Sequence, residues 1–220
     1  MSDAVIFDWD GTVADTRQAV VASFQETLKQ IGVQVEDTFI EKRIGIGAIN
    51  TFKEALEAAG KPHTQEALEE LVRHKIIVQV SLADTVTLFD GAIELLDSLR
   101  NKIPIGLASM NNTKVVVNLL RRMRLTEYFQ AVMTADDVEL PKPFPDIFLE
   151  CARRLECLPN RCTVVEDSVF GVEAARRAGM KCIAVATGAY TRRQLEKMKP
   201  DLVVDSLKER QKISNFILQS

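Results

Sequence analysis

The chain has 220 residues, 46% of them apolar and 27% charged, with a formal net charge of -3. That is ample for a buried core, while the near-balance of charge gives no support to nucleic acid as a partner, because binding a phosphate backbone needs a basic surface. The apolar runs fall short of the about 20 residues that span a bilayer, and the N-terminus carries no basic stretch followed by a long apolar one, so neither a membrane span nor a signal peptide is expected.

Four cysteines, Cys151, Cys157, Cys162 and Cys182, form no C-x-x-C pair, and His63 and His74 lie far from them in sequence. They read as small buried hydrophobes in a reducing compartment rather than as zinc ligands. The basic run Arg121, Arg122 and Arg124 reads as a solvated helix face. A cytoplasmic protein is the expectation, and a monomer suits this size.

Residues 4–8 (AVIFD) read as a short strand, apolar on both faces as a central parallel strand should be, with Asp8 as its last residue. From Thr16 to about Asp84 the pattern is helical. Val20, Phe24, Leu28 and Ile31 recur at helical spacing, and Gly32 can end that helix. Phe52, Leu56 and Ala59 repeat the theme before Gly60 and Pro62. Thr64 can cap a further helix carrying Leu68, Leu71, Val72 and Ile76. No strand is expected in this block.

From about Val86 strands and helices alternate. The spacing predicts helices over 91–100, 112–124, 146–155 and 168–178, and strands over 103–108, 131–133, 163–166, 182–186 and 202–204. Repeated βα units imply a doubly wound, Rossmann-like parallel sheet with its ligand site beyond the carboxyl ends of the strands. The expected layout is an α/β core of residues 1–14 and 86–220, with residues 15–85 inserted as a hinged helical domain.

The strand ends then converge. Strand one delivers Asp8 and Asp10, the strand at 103–108 delivers Ser109, Met110 and Asn111, the loop after 131–133 carries Lys142 between Pro141 and Pro143, and strand 163–166 delivers Glu166 and Asp167. Each group has an ordinary explanation alone: a turn, a helix cap, a solvated lysine, a helix start. Arriving in order at successive βα junctions, they make one site. Four carboxylates cannot all be ionised there against a single ammonium. A divalent metal with oxygen ligands resolves the repulsion, and Mg²⁺ suits a few carboxylates together with a phosphate oxygen. Position suggests Asp8 as a nucleophile toward phosphorus and Asp10 as the acid/base at the leaving oxygen. Ser109, nearby backbone N–H groups and Lys142 would hold the phosphoryl group.

The stretches "FDWDGTVADT", "LASMNN", "KPFPDIF" and "VVEDSVFGVEAARRAG" resemble the four motifs of the haloacid dehalogenase superfamily, over nearly the whole chain. The resemblance implies a helical cap after the first motif, with a hinge at Val13 to Thr16. It also implies Mg²⁺ held by Asp8, the backbone carbonyl of Asp10, and Asp167, with Glu166 in or beside that set. Founding dehalogenases lack the second aspartate, so Asp10 favours phosphoryl transfer. The expected activity is Mg²⁺-dependent hydrolysis of a small phosphorylated metabolite, of the phosphoglycolate or sugar-phosphate class, through an aspartyl-phosphate. "EDSVFGVEAA" is similar to β-phosphoglucomutases, which keeps a sugar-phosphate mutase as the alternative. "RIGIGA" is similar to phosphoglycolate phosphatase caps, and Ala48 stands where the mutases carry a phosphate-gripping arginine, with Arg43 the nearest substitute. A non-catalytic metabolite- or protein-binding regulator is the remote alternative.

Overall fold

A computed structural model of the chain describes residues 2–219. Six strands form one all-parallel sheet: β1 (Ala4–Phe7), β4 (Ile105–Ala108), β5 (Ala131–Met133), β6 (Cys162–Glu166), β7 (Lys181–Val185) and β8 (Leu202–Val204). Their spatial order is β5-β4-β1-β6-β7-β8, which places β1 at the centre and reverses the direction of winding there.

Alternation along the strands divides the core in two. Val5, Phe7, Ile105, Leu107, Val165 and Ile183 face one apolar cluster; Ala4, Ile6, Ala108, Val164, Cys182 and Ala184 face the other. The first face is covered by α5 (Ala92–Leu99), α6 (Thr113–Arg122) and α10 (Arg210–Gln219). The second is covered by α7 (Asp146–Arg154), α8 (Val169–Arg177) and α9 (Arg192–Lys197). This explains the unbroken apolar texture of the strands, since a sheet buried on both sides has no polar face.

The chain leaves this sheet after β1 and returns before α5 through an antiparallel ribbon, β2 (Ala14–Asp15) against β3 (Thr87–Leu88). Between the two passes lie four helices: α1 (Arg17–Gln30), α2 (Asp37–Glu41), α3 (Ala48–Ala58) and α4 (Gln65–Ser81). They bury a third apolar cluster of their own, including Val20, Phe24, Leu28, Ile40, Phe52 and Leu68. Thr64 caps α4 as its sequence suggests, its hydroxyl accepting from the Ala67 N–H at 3.2 Å.

Several boundaries differ from the sequence reading. The strand expected over 103–108 begins at Ile105, because Pro104 lacks an N–H for the ladder; its carbonyl still accepts from the Val5 N–H at 3.0 Å. Asp8 lies one residue beyond β1 rather than ending it, although its N–H still reaches the Val165 carbonyl at 2.9 Å. Cys157 is half-buried while the other three cysteines are buried, and all four are free thiols. Helices α2, α9 and α10 and the β2–β3 ribbon were not expected. None of the helices of the described residues is long and apolar enough to cross a membrane.

Candidate active site

The carboxyl ends of β1, β4 and β6 and the loop after β5 meet above the centre of the sheet. Lys142 comes from that loop, yet its side chain is completely buried: 1% of the residue is exposed. Its Nζ donates to Asp8 Oδ1 at 2.6 Å, to Glu166 Oε1 at 2.8 Å and to the Ala108 carbonyl at 3.3 Å. The reading of Lys142 as a solvated loop residue is thereby excluded. The second Glu166 oxygen accepts from the Ser168 N–H at 2.6 Å, which fixes the start of α8 beneath the site.

Asp8, Glu166 and Asp167 each present a carboxylate oxygen, and these oxygens lie within 4.8 Å of one another. Burial raises the Asp8 pKa to about 7; the Lys142 ammonium opposes this, and Glu166 and Asp10 add to it. Asp167 is raised well above the usual carboxylate range, by burial first and then by Glu166 and Asp8. Lys142 itself is pushed down by burial, but Asp8 and Glu166 outweigh that and keep it charged. One ammonium shared between two carboxylates is held firmly, whereas neither Asp8 nor Asp167 is fully compensated. Three buried carboxylates converging where a single ammonium offsets only part of their charge suit a hard divalent cation with oxygen ligands.

Backbone packing shapes this pocket from two sides. Gly11 turns at φ +89, and a Cβ there would stand 2.4 Å from Asp167 Oδ2. At Gly188, in the loop after β7, a Cβ would come within 1.6 Å of the same oxygen. Thr12 Oγ1 donates to Asp167 Oδ1 at 3.0 Å, orienting the carboxylate.

Asp10 sits apart from the acidic trio, in a cradle of donors. Thr16 Oγ1 reaches its Oδ1 at 2.8 Å, Asn111 Nδ2 reaches the same oxygen at 3.2 Å, and Ser109 Oγ reaches Oδ2 at 2.8 Å. The Ser109 hydroxyl also accepts from the Asn111 N–H at 3.0 Å. Thus Ser109 and Asn111, expected at a phosphoryl group, hold the Asp10 side chain in this structure. The Asp10 carboxylate is not part of the candidate metal cluster. Met110 is buried, its Cε against Gly47 of the helical block.

That block closes over the site. Lys75 of α4 is buried, donates to Asn111 Oδ1 at 3.1 Å, and lies 5.1 Å from the Phe24 ring centroid. Burial lowers its pKa to about 8, with Asp10 opposing. On the other side the Tyr190 hydroxyl donates to the Lys42 carbonyl at 2.8 Å. Burial, then Asp167 and Glu166, raises the Tyr190 phenol to about 12, so it stays a donor. Arg43, considered as an anion grip, is engaged by Glu54 at 2.7 Å and by the Phe39 carbonyl at 2.9 Å.

Sequence reasoning missed Thr12, Thr16, Lys75, Gly188 and Tyr190. One signal was available: Lys75 falls on the inward stripe of α4, a turn beyond Leu71 and Val72, where a polar residue needs a reason. Another was the junction after β7, which lies on the same sheet edge as the four that were used.

A central parallel sheet, a buried lysine shared by carboxylates and an acidic trio at the strand ends define a hydrolase of the haloacid dehalogenase type. Residues 5–185 match the model of the haloacid dehalogenase-like hydrolases, and the chain belongs to that family. It is 32% identical over 188 residues to the fructose-1-phosphate phosphatase YqaB of Escherichia coli, covering 82% of this chain and 95% of that one. It is 31% identical over 191 residues to the β-phosphoglucomutase of Bacillus subtilis, covering 84% of each. Among solved structures, a β-phosphoglucomutase from Clostridium difficile superposes with a TM-score of 0.87 at 28% identity over the full length of both chains. The chain is accordingly an enzyme that hydrolyses phosphate esters.

Proposed function

We propose that the protein is a Mg²⁺-dependent phosphatase of small phosphorylated sugars that works through an aspartyl-phosphate on Asp8. The observation that carries this is the placement of two differently treated carboxylates two residues apart. Asp8 is gripped by Lys142 at 2.6 Å beside the acidic trio, while Asp10 is held by three neutral donors at the opening toward the helical block.

In the first half-reaction an Asp8 oxygen bonds to phosphorus as the ester P–O bond breaks, and Asp10 gives its proton to the departing sugar oxygen. In the second, Asp10 takes a proton from water, the water oxygen bonds to phosphorus, and the Asp8–phosphorus bond breaks to release phosphate. Lys142 offsets negative charge at Asp8 and the phosphoryl group throughout. Asp8, Glu166, Asp167 and the backbone carbonyl of Asp10 would hold the Mg²⁺, which when bound supplies positive charge to the phosphoryl oxygens. Residues 15–85 act as a cap whose closure excludes bulk water. The four free thiols agree with a cytoplasmic setting.

A sugar-phosphate mutase is the second reading, favoured by the likeness to β-phosphoglucomutases. Against it, the Arg43 guanidinium is already committed to Glu54 and Phe39. One experiment separates the two. A panel of phosphorylated metabolites that includes β-glucose 1-phosphate is incubated with enzyme and Mg²⁺, and both free phosphate and isomerised sugar phosphate are measured. Free phosphate is expected, abolished by Asp8→Asn or by a chelator and restored by fresh Mg²⁺. Glucose 6-phosphate as the main product would establish the mutase; undiminished turnover by Asp8→Asn would remove the nucleophile.

A further inference from the structure

The four motif segments leave out a fifth strand end, the loop after β7, residues 186–190. It touches three parts of the site. Thr187 Oγ1 donates to the Gly11 carbonyl at 2.6 Å, tying the loop to the turn that follows Asp8. Gly188 packs directly on the Asp167 carboxylate. Tyr190 then reaches out of the core, its ring edge-on to Phe170 of α8 with centroids 6.3 Å apart, and bonds the Lys42 carbonyl. Lys42 is the residue at the carboxyl end of α2, where carbonyls lack partners within the helix. The bond therefore serves an acceptor that α2 itself leaves open.

We infer that Tyr190 is a positioning residue that holds the helical block closed over the Asp167 side of the site. The inference rests on the reading of residues 15–85 as a moving cap. Besides the Thr16–Asp10 bond at the chain crossing and the exposed Arg122–Asp84 ion pair, side chains join block and core at two places around the chamber: Lys75 to Asn111 beside Asp10, and Tyr190 to Lys42 beside Asp167. The first is bound up with the acid/base, because Asn111 also donates to Asp10. The second touches none of the reacting groups, so its loss acts on closure alone. Tyr190, Asp10, Glu41 and Asp167 line one common cleft, so releasing Tyr190 widens the way in to the acidic trio.

The test compares Tyr190→Phe with the unaltered enzyme. The substitution keeps the ring against Phe170 and removes only the hydroxyl. Amide hydrogen exchange at residues 43–47 is followed with Mg²⁺ and inorganic phosphate present, and KM and kcat are measured on the best substrate of the panel. Exchange should quicken and KM should rise, each by roughly three- to tenfold, the size expected for one neutral hydrogen bond. The melting temperature should hold, and kcat should be kept or raised. Exchange unchanged at 43–47 would overturn the inference, as would a fall in kcat at constant KM. If the unaltered enzyme hydrolyses nothing in the panel, the functional proposal fails, and the exchange comparison still decides the role of Tyr190.

Discussion

Asp8 and Asp167 are held against their electrostatic preference, and this has a consequence for stability. Both carboxyl groups have folded pKa values above their ordinary ones, and for Asp8 the range runs from 3.8 to about 7. A group of this kind binds its proton more tightly in the folded protein. Its stabilising contribution is complete below the unfolded pKa and is lost as pH rises through the folded one. Chelated protein should therefore lose melting temperature between about pH 4 and pH 8, and added Mg²⁺ should recover most of the loss at the alkaline end. A flat profile in chelator would mean that the trio is not strained. The positions of Asp8, Asp10, Ser109, Lys142, Glu166 and Asp167 at strand ends were legible because strand polarity and sheet winding dictate which edge each occupies. Lys75 and Tyr190 were not, since each reaches the site across the contact between helical block and sheet, and no local pattern encodes that contact.

At the scale of elements, α8 is built to carry Glu166 and Asp167 into place. Ser168 caps it, accepting from the Gly171 N–H at 3.0 Å, and Gly171 occupies its first turn. Helix propensity alone says that alanine at Gly171 should stabilise by about 0.5–1 kcal/mol. A Cβ there would stand 1.8 Å from Glu166 Oε1, so the packing outweighs the propensity. Gly171→Ala should instead destabilise by about 1–3 kcal/mol in a denaturant titration, the usual range for overpacking, as Glu166 is driven off Lys142. A stabilised variant would show that Glu166 has room to move.

The longer elements were readable for the same reason that they are stable. Helices α1 and α6 bury enough apolar turns to leave a periodic trace, α4 leaves one through buried Leu68 and half-buried Leu71, Val72 and Ile76, and the buried strands read as unbroken apolar runs. The five residues of α2, the six of α9 and the two-residue strands of the ribbon are too short to do so. Helix α10 was not expected although Ile213, Phe216 and Ile217 recur at helical spacing and pack on the core.

For the molecule as a whole, the doubly wound sheet and the helices covering both its faces followed from the order of βα units, and the family resemblance followed from the four motifs. The closeness of the helical block to the sheet did not, because it depends on bridges between residues as far apart as Lys75 and Asn111 or Lys42 and Tyr190. In the proposed reaction a phosphoryl group passes through Asp8. Enzyme mixed with Mg²⁺ and its best phosphomonoester, quenched in acid within one turnover and digested with pepsin at that low pH, tests this by mass spectrometry of the peptide that contains Asp8. One added phosphoryl group is expected, on Asp8, that disappears as substrate is exhausted. Rapid hydrolysis with that peptide never modified, or with the phosphoryl group found on another residue, would contradict it.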